Sequence, residues 1–247
     1  MSREAKVSGA SNESPAGGLA GAAEPARSVL HLQKSLLSKN DRFAQLLRQE
    51  FQERGIGVVN LMSSPGSGKT TLLQKTIAVL GSRRRPGVIV GDLATDNDAR
   101  RLAETGAPVV QIETGTLCHL EADMVSRAAK GLGLENLDLL FIENVGNLVC
   151  PAGYDLGEAC RAVLVSVTEG EDKPLKYPTA FHRANVVVVT KIDLAEAVEF
   201  DRATVLENLE RVNPGVRVFE VSARTGAGLE AWCAYLAELR PEPASVP

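Results

Sequence analysis

The sequence predicts an α/β protein of three layers, a mostly parallel sheet covered by helices on both faces. Residues 58–62 form a short β-branched and apolar run, a glycine-rich turn follows, and residues 71–80 then space their apolar side chains as a helix does. Further apolar runs at 88–92, 137–142, 162–165, 185–190 and 216–221 alternate with helical patterns through to Leu239. That order gives parallel strands buried on both sides. With 247 residues, 44% of them apolar, the chain suffices for one such domain and short extensions.

The extensions differ in kind. Residues 1–27 are rich in Ser, Ala, Gly and Glu without hydrophobic periodicity, the composition of a disordered tail. Residues 28–55 carry helical apolar spacing at 29–37 and 43–48, and Asn40-Asp41 offers a cap between two helices. The main domain is expected over 56–240, with a tail at 241–247. No segment has the apolar core of a signal peptide or the length of a membrane span, and four cysteines make no disulfide framework, which fits a reducing cytoplasm. A net charge of −4 gives no reason to expect nucleic-acid binding. Arg83-Arg84-Arg85 reads as a solvated basic turn.

The turn between the first strand and its helix is Ser63-Ser64-Pro65-Gly66-Ser67-Gly68-Lys69-Thr70-Thr71. Strand, glycine-rich turn and helix in that order make a P-loop, in which Gly66, Ser67 and Gly68 let backbone N–H groups approach phosphates at a helix N-terminus. Lys69 then reaches the terminal phosphates, and the Thr70 hydroxyl, with Thr71 beside it, faces Mg²⁺. The first glycine of the usual pattern is replaced by Ser63.

Thr190-Lys191-Ile192-Asp193 ends a later strand at the position where P-loop proteins read the base. A carboxylate at Asp193 accepts two hydrogen bonds from guanine that adenine does not offer, which favours GTP over ATP. Lys191 belongs to the same loop, and Ser222-Ala223 opens a segment like the one that closes over guanine. Thr190 stands where such proteins usually have Asn.

Two strands end in acids. Asp92 is the first candidate for positioning Mg²⁺ or the attacking water; Asp96 is the second, although Asp96-Asn97-Asp98 reads equally well as a helix N-cap cluster. Glu143 takes the Walker B position, and Gly146 is placed to sense a γ-phosphate.

Cys118-His119 and Cys150 supply thiolate and imidazole, donors suited to Zn²⁺ or Ni²⁺. Three donors leave a tetrahedron open, to be completed by water or a second subunit. The residues alone leave a second reading, in which the thiols are small buried hydrophobes and His119 is incidental. Cys160 and Cys233 read as core or helix-face residues, and His31 and His182 as structural or solvated.

The segments S-S-P-G-S-G-K-T-T-L, G-D-L-A-T-D-N-D-A-R-R-L, T-L-C-H-L, E-N-V-G-N-L-V-C-P, V-T-E-G-E-D-K-P-L-K-Y-P and T-K-I-D-L, in unbroken order over residues 28–240, resemble the hydrogenase nickel-incorporation GTPases of the HypB family. The resemblance implies a SIMIBI-type P-loop GTPase that dimerises, hydrolyses GTP with Mg²⁺ and helps place nickel in nickel–iron hydrogenase. It further implies that Cys118, His119 and Cys150 bind Ni²⁺ or Zn²⁺, at an interface between subunits, with the hydrogenase large subunit as acceptor. The urease-type nickel GTPases, the nearest relatives, carry Cys-Pro-His where this sequence has contiguous Cys118-His119. The chain begins without the cysteine-rich or histidine-rich nickel motifs of some members, so another nickel chaperone is expected as donor.

Overall fold

A computed structural model describes residues 23–92 and 96–241, with side chains from Leu36 onward. The backbone divides into a unit of residues 1–36 and a larger one of 37–247. Helix α1 spans Ala23–Glu53, so its C-terminal part belongs to the larger unit. The expected tail at 1–22, like that at 242–247, lies outside the described residues.

The larger unit holds a sheet of seven parallel strands in the order β3-β2-β4-β1-β5-β6-β7. These are β1 Gly57–Ser63, β2 Pro86–Asp92, β3 Val109–Glu113, β4 Leu139–Glu143, β5 Cys160–Ser166, β6 Val186–Thr190 and β7 Arg217–Val221. The remaining helices are α2 Lys69–Leu80, α3 Asn97–Ala103, α4 Ala122–Ala129, α5 Lys173–Lys176, α6 Pro178–His182, α7 Arg202–Val212 and α8 Leu229–Glu238.

Period-two alternation builds the three layers. On β1, Val59 and Leu61 face α2, α3 and α8, meeting Leu72, Leu73, Leu102 and Trp232. Val58 faces the opposite side with Ala44, Leu47 and Phe51 of α1 and Val125 of α4, and Met62 joins Phe181 of α6 and Leu209 of α7. Because every strand runs the same way, all seven C-terminal ends lie along one edge, the edge where open α/β sheets bind ligands. The sequence marked six of these strands; β3, half-exposed and only five residues long, gave no comparable apolar signal.

Two expectations are corrected. Helix α1 runs without a break through Asn40-Asp41. Asn40 does not cap a second helix: its Nδ2 donates to Asp155 O at 2.8 Å and its Oδ1 accepts from Ala122 N at 2.8 Å. A residue that looks like a cap in sequence thus ties α1 to the start of α4 and to the loop before β5.

Arg84 is also not solvated. It is 7% exposed, donating to Asp138 Oδ1 at 2.8 Å, to the Asp138 carbonyl, and to Ala237 O and Leu239 O at 3.0 and 2.9 Å. The guanidinium satisfies carbonyls at the C-terminus of α8 that the helix leaves unpaired, whereas its neighbours Arg83 and Arg85 are exposed. Removing it would leave those carbonyls unpaired and Asp138 with Arg85 alone, so Arg84→Ala is expected to cost about 2–4 kcal/mol of unfolding free energy, read by urea denaturation. A loss under about 0.5 kcal/mol, the level of an ordinary surface change, would show the guanidinium to be dispensable.

Candidate functional site

A cavity of about 500 Å³ opens at the C-terminal edge of the sheet, lined among others by Gly66, Lys69, Thr70, Asp92, Glu143 and Gly146. Its floor is the turn between β1 and α2. Gly66 and Gly68 have φ of 76° and 92°, left-handed values that L side chains rarely adopt, and a Cβ on Gly66 would meet nothing within 4 Å. The turn is bare backbone facing open space, beside the N-terminus of α2. Ser63, where the usual motif has glycine, is the last residue of β1 and has no positive φ, so glycine's freedom is not needed there. Its hydroxyl donates to Ser64 O at 2.6 Å and accepts from Lys69 Nζ at 3.0 Å.

Lys69 is nearly buried; desolvation lowers its pKa against the pull of Glu143, Asp98, Glu169 and Asp92. Thr70 Oγ1 donates to Glu143 Oε1 at 2.7 Å, and Glu143 Oε2 is buried with no hydrogen-bond partner. Burial pushes the Glu143 carboxyl up to about 7, opposed by the Lys69 charge and the Thr70 hydrogen bond. A hydroxyl and an orphaned buried carboxylate oxygen, with Asp92 lining the same cavity, are hard oxygen donors of the kind Mg²⁺ takes.

Among the acids, Asp98 lines this cavity; Asp96, the second candidate in sequence, does not. Asp96 does occupy the N-cap of α3, but its carboxylate makes no cap bond and pairs with Arg100. Arg101, which the sequence reading passed over, also lines the cavity, its guanidinium held by Thr71 Oγ1 at 3.0 Å, Gln74 Oε1 at 2.9 Å and Asp98 Oδ1 at 3.3 Å.

The second cavity, of about 210 Å³, adjoins the first across Gly68, Thr71 and Lys191 and is lined by Asp193 and Ala223 as well. Lys191 has φ 58°, and its Nζ donates to Gly66 O at 2.7 Å, so it spans both cavities. Thr190 Oγ1 donates to Ser67 O at 2.7 Å, bracing the phosphate turn with a hydroxyl instead of the usual amide. Ser222 Oγ donates to Asp193 Oδ1 at 2.6 Å and accepts from Thr225 N at 3.1 Å, which fixes the carboxylate's orientation. Glu169 holds the turn from the third side, accepting from Ser67 Oγ and Ser166 N, both at 2.8 Å. Those donors and Lys173 keep its carboxyl below the usual range despite burial.

The thiols lie one loop away. Leaving β4 at Glu143, the chain packs Gly146 so closely on the phosphate turn that a Cβ would lie 3.1 Å from Pro65 Cα. Four residues on, Cys150 opens a short 3-10 turn, Cys150–Gly153. Cys150 lies beside Cys118: its thiol first, and burial second, raise the Cys118 pKa. His119 Nδ1 lies 3.9 Å from Cys118 Sγ, and its ring stacks on Tyr154 with centroids 3.9 Å apart. Burial lowers the His119 pKa against the pull of Glu121, so the ring is neutral near pH 7 and keeps a lone pair to offer. Nevertheless, among the described residues no group of three or more His, Cys, Asp or Glu is arranged to hold an ion. Cys160 and Cys233 are buried, against Tyr235 and Thr76, and His182 bonds the Val212 carbonyl, as expected of structural residues. The His31 side chain lies outside the described residues.

Fold and cavities define a P-loop nucleotide-binding protein of the α/β class. The family model described as CobW/HypB/UreG, nucleotide-binding domain, matches residues 57–220. The chain is 51% identical over 214 residues to the hydrogenase maturation factor HypB of Azotobacter chroococcum, covering 86% of this chain and 70% of the relative. It is 46% identical over 210 residues to that of Escherichia coli K12, covering 85% and 72%. A crystal structure of HypB from Helicobacter pylori in complex with nickel superposes with a TM-score of 0.78 at 43% identity, covering 81% of this chain and 94% of the other. The chain therefore belongs to the HypB family of hydrogenase maturation factors. No helix among the described residues is long and apolar enough to cross a membrane.

The Glu143 carboxyl gives a testable pH dependence. Its raised pKa means that near and below about 7 the empty site keeps a proton there. A Mg²⁺ held here would need the carboxylate, so that proton would have to leave. Mg²⁺-dependent nucleotide affinity is therefore expected to rise with pH up to about 7, by at most about tenfold per unit for one proton, and then level off. By the same linkage, the raised pKa favours the folded state below about pH 4.5, and that contribution is lost as pH rises through about 7. Titration calorimetry in buffers of different ionisation enthalpy reads the proton release directly; a Glu143→Gln protein should release none.

Proposed function

We propose that this chain is a GTP-hydrolysing metallochaperone that carries nickel towards nickel–iron hydrogenase during its maturation. The observation that carries the reading is the loop after β4: it packs Gly146 on the phosphate turn and, four residues later, brings Cys150 to Cys118. One short segment touches both the nucleotide cavity and the thiols. The nickel-bound HypB relative, similar over 81% of this chain, supports nickel as cargo. Zn²⁺ suits the same thiol and imidazole donors.

The geometry supports the following roles. Gly66, Ser67, Gly68, Lys69, Thr70 and Thr71 hold the phosphates, and Asp193, Lys191, Ser222 and Ala223 hold guanine. Thr70, Asp92 and Glu143 would hold Mg²⁺, which when bound supplies charge neutralisation at the terminal phosphates. Lys69 presents its ammonium to the same phosphates, and Asp92 orients the attacking water. Gly146 reports the γ-phosphate through its contact with Pro65.

Cys118, His119 and Cys150 supply the nickel ligands, with further donors from a second copy of the chain. Leu117 and Val149, which flank the two thiols and are 37% and 66% exposed, offer apolar surface for that copy. A separate nickel chaperone as donor and the hydrogenase large subunit as acceptor complete the proposed path.

Phosphate release from GTP and ATP, measured beside Ni²⁺ competition titration of the wild type and a Cys118→Ala/Cys150→Ala protein, tests the reading. GTP-selective release, with nickel binding lost in the double variant, is expected. ATP preference together with unchanged nickel binding would overturn it.

A further inference from the structure

We propose that Asn147 is the positioning residue that carries the state of the phosphate cavity to the thiols, working against a fixed base built from Arg161, Glu158 and Asn60. The inference rests on the nucleotide-gated carrier reading above. Asn147 follows Gly146, which packs so closely on Pro65 that a methyl group there would force Pro65 to give way. A displacement of the phosphate turn therefore reaches Asn147 first. Its side chain makes two bonds of different kinds: Oδ1 accepts from Val149 N at 2.9 Å within its own turn, and Nδ2 donates to Cys118 O at 3.3 Å across to the other segment. The second bond joins the loop bearing Cys150 to the backbone of Cys118.

The far side of the turn is pinned. Arg161, on β5 and 7% exposed, donates from Nη1 to Ala152 O at 3.1 Å and from Nη2 to Tyr154 O at 2.7 Å. Its guanidinium pairs with Glu158 Oε1 at 2.6 Å, the same oxygen that accepts from Asn60 Nδ2 at 3.2 Å. Asn60 Oδ1 in turn accepts from Asn144 Nδ2 at 3.2 Å. Asn60 stands fully buried in the middle of β1 between Val59 and Leu61, an expensive place for an amide unless every bond is made. This relay fixes Ala152 and Tyr154 to the sheet, and Tyr154 fixes His119 by stacking.

Adjacent residues are thus tied to different bodies. His119 is held to the sheet side through Tyr154, while Cys118 is held to the nucleotide side through Asn147. Movement of the Gly146-Asn147 segment shifts Cys118 relative to the imidazole and to Cys150, whose turn Arg161 holds at Ala152, which alters how well three donors can surround one ion. Such a two-body arrangement supplies the discrete element that coupling between sites requires.

The bland alternative is that Asn147 merely closes its local turn, and two substitutions separate the readings. Asn147→Asp keeps the acceptor for Val149 N and puts an oxygen in place of the donor to Cys118 O; Asn147→Ala loses both. Ni²⁺ affinity of the full chain is measured by competition with GDP and with a non-hydrolysable GTP analogue plus Mg²⁺, and the ratio is compared. The wild type is expected to show a ratio of about fivefold or more, the usual scale of coupling between sites. Both variants are expected to bring the ratio to about one, removing that coupling energy, with nickel affinity in the GDP form retained. An Asn147→Asp protein with the wild-type ratio would overturn the proposal while leaving the carrier reading intact. A wild-type ratio of one would sink the carrier reading itself, and the proposal with it.

Discussion

Replacing Lys69 by alanine is expected to slow phosphate release from saturating GTP by about 10²–10³-fold, the usual consequence of removing one preorganised charge from a transition state. Here the effect has two parts. The Lys69 ammonium, 9% exposed and held by Ser63 Oγ at 3.0 Å, sits where desolvation disfavours its charge until an anion arrives. A polyphosphate supplies that anion, so the ammonium's cost in the empty site turns into attraction in the occupied one. Lys69 also holds down the pKa of Glu143, and without it the carboxyl would keep its proton to a higher pH and hold Mg²⁺ less well. Lys69→Arg should not restore the rate, because a planar fork does not fit where a point charge meets a single hydroxyl. The empty variant should be no less stable to urea than the wild type, since a poorly solvated charge has been removed. Phosphate release within about threefold of wild type would mean that this cavity is not where GTP reacts.

The second large effect is expected at the base. Asp193→Asn should lower GTP affinity by about 10²-fold or more, because two hydrogen bonds to a carboxylate are lost and an amide N–H₂ is turned towards guanine's own donors. Ser222 Oγ holds Asp193 Oδ1 at 2.6 Å, so the substituted amide has little freedom to turn away. Xanthine carries a carbonyl where guanine carries its amine, and the variant should accordingly bind xanthosine triphosphate better than GTP. Competition against a fluorescent nucleotide reads both quantities. Unchanged GTP affinity in Asp193→Asn would place base recognition elsewhere along Thr190–Ala223 and leave ATP as an open substrate.

The parts of this molecule that were legible in the sequence are those governed by local rules. Glycines at positive φ in the phosphate turn, acids closing apolar strands at Asp92 and Glu143, and the Lys191–Asp193 spacing all follow from short-range geometry. The three-layer order followed from alternating strand and helix patterns. What was illegible depends on partners far along the chain. Arg84 looked solvated because nothing in its neighbourhood announces the carbonyls of α8, more than 150 residues later. Asn40 looked like a cap because its partners, Ala122 and Asp155, are 82 and 115 residues away along the chain. Asn60 was the one visible clue to the buried relay, a lone amide in an apolar strand, and it was passed over. Asp98 reads as part of an N-cap cluster and Arg101 carries no local signal; only the packing of α3 on α2 brings them into the cavity.

The proposed metal residues were legible as types but not as an arrangement. Cys118, His119 and Cys150 do converge, yet within one chain they do not form a ready three-donor group among the described residues. The raised Cys118 pKa means that binding an ion must displace a thiol proton, so nickel affinity should fall as pH is lowered. That dependence would be separate from the carboxyl proton at Glu143, which belongs to the nucleotide cavity.

The measurement that bears most directly on the proposed carrier is Ni²⁺ affinity of the wild-type chain by competition titration, first with GDP and then with a non-hydrolysable GTP analogue and Mg²⁺, with molecular mass recorded by light scattering. The packing of Gly146 on Pro65 and the contact of Cys150 with Cys118 predict that affinity or stoichiometry changes between the two nucleotides, by the same factor that nickel changes nucleotide affinity. Identical nickel binding in both states would contradict the account, leaving a nucleotide site and a pair of thiols that share a loop without sharing a function.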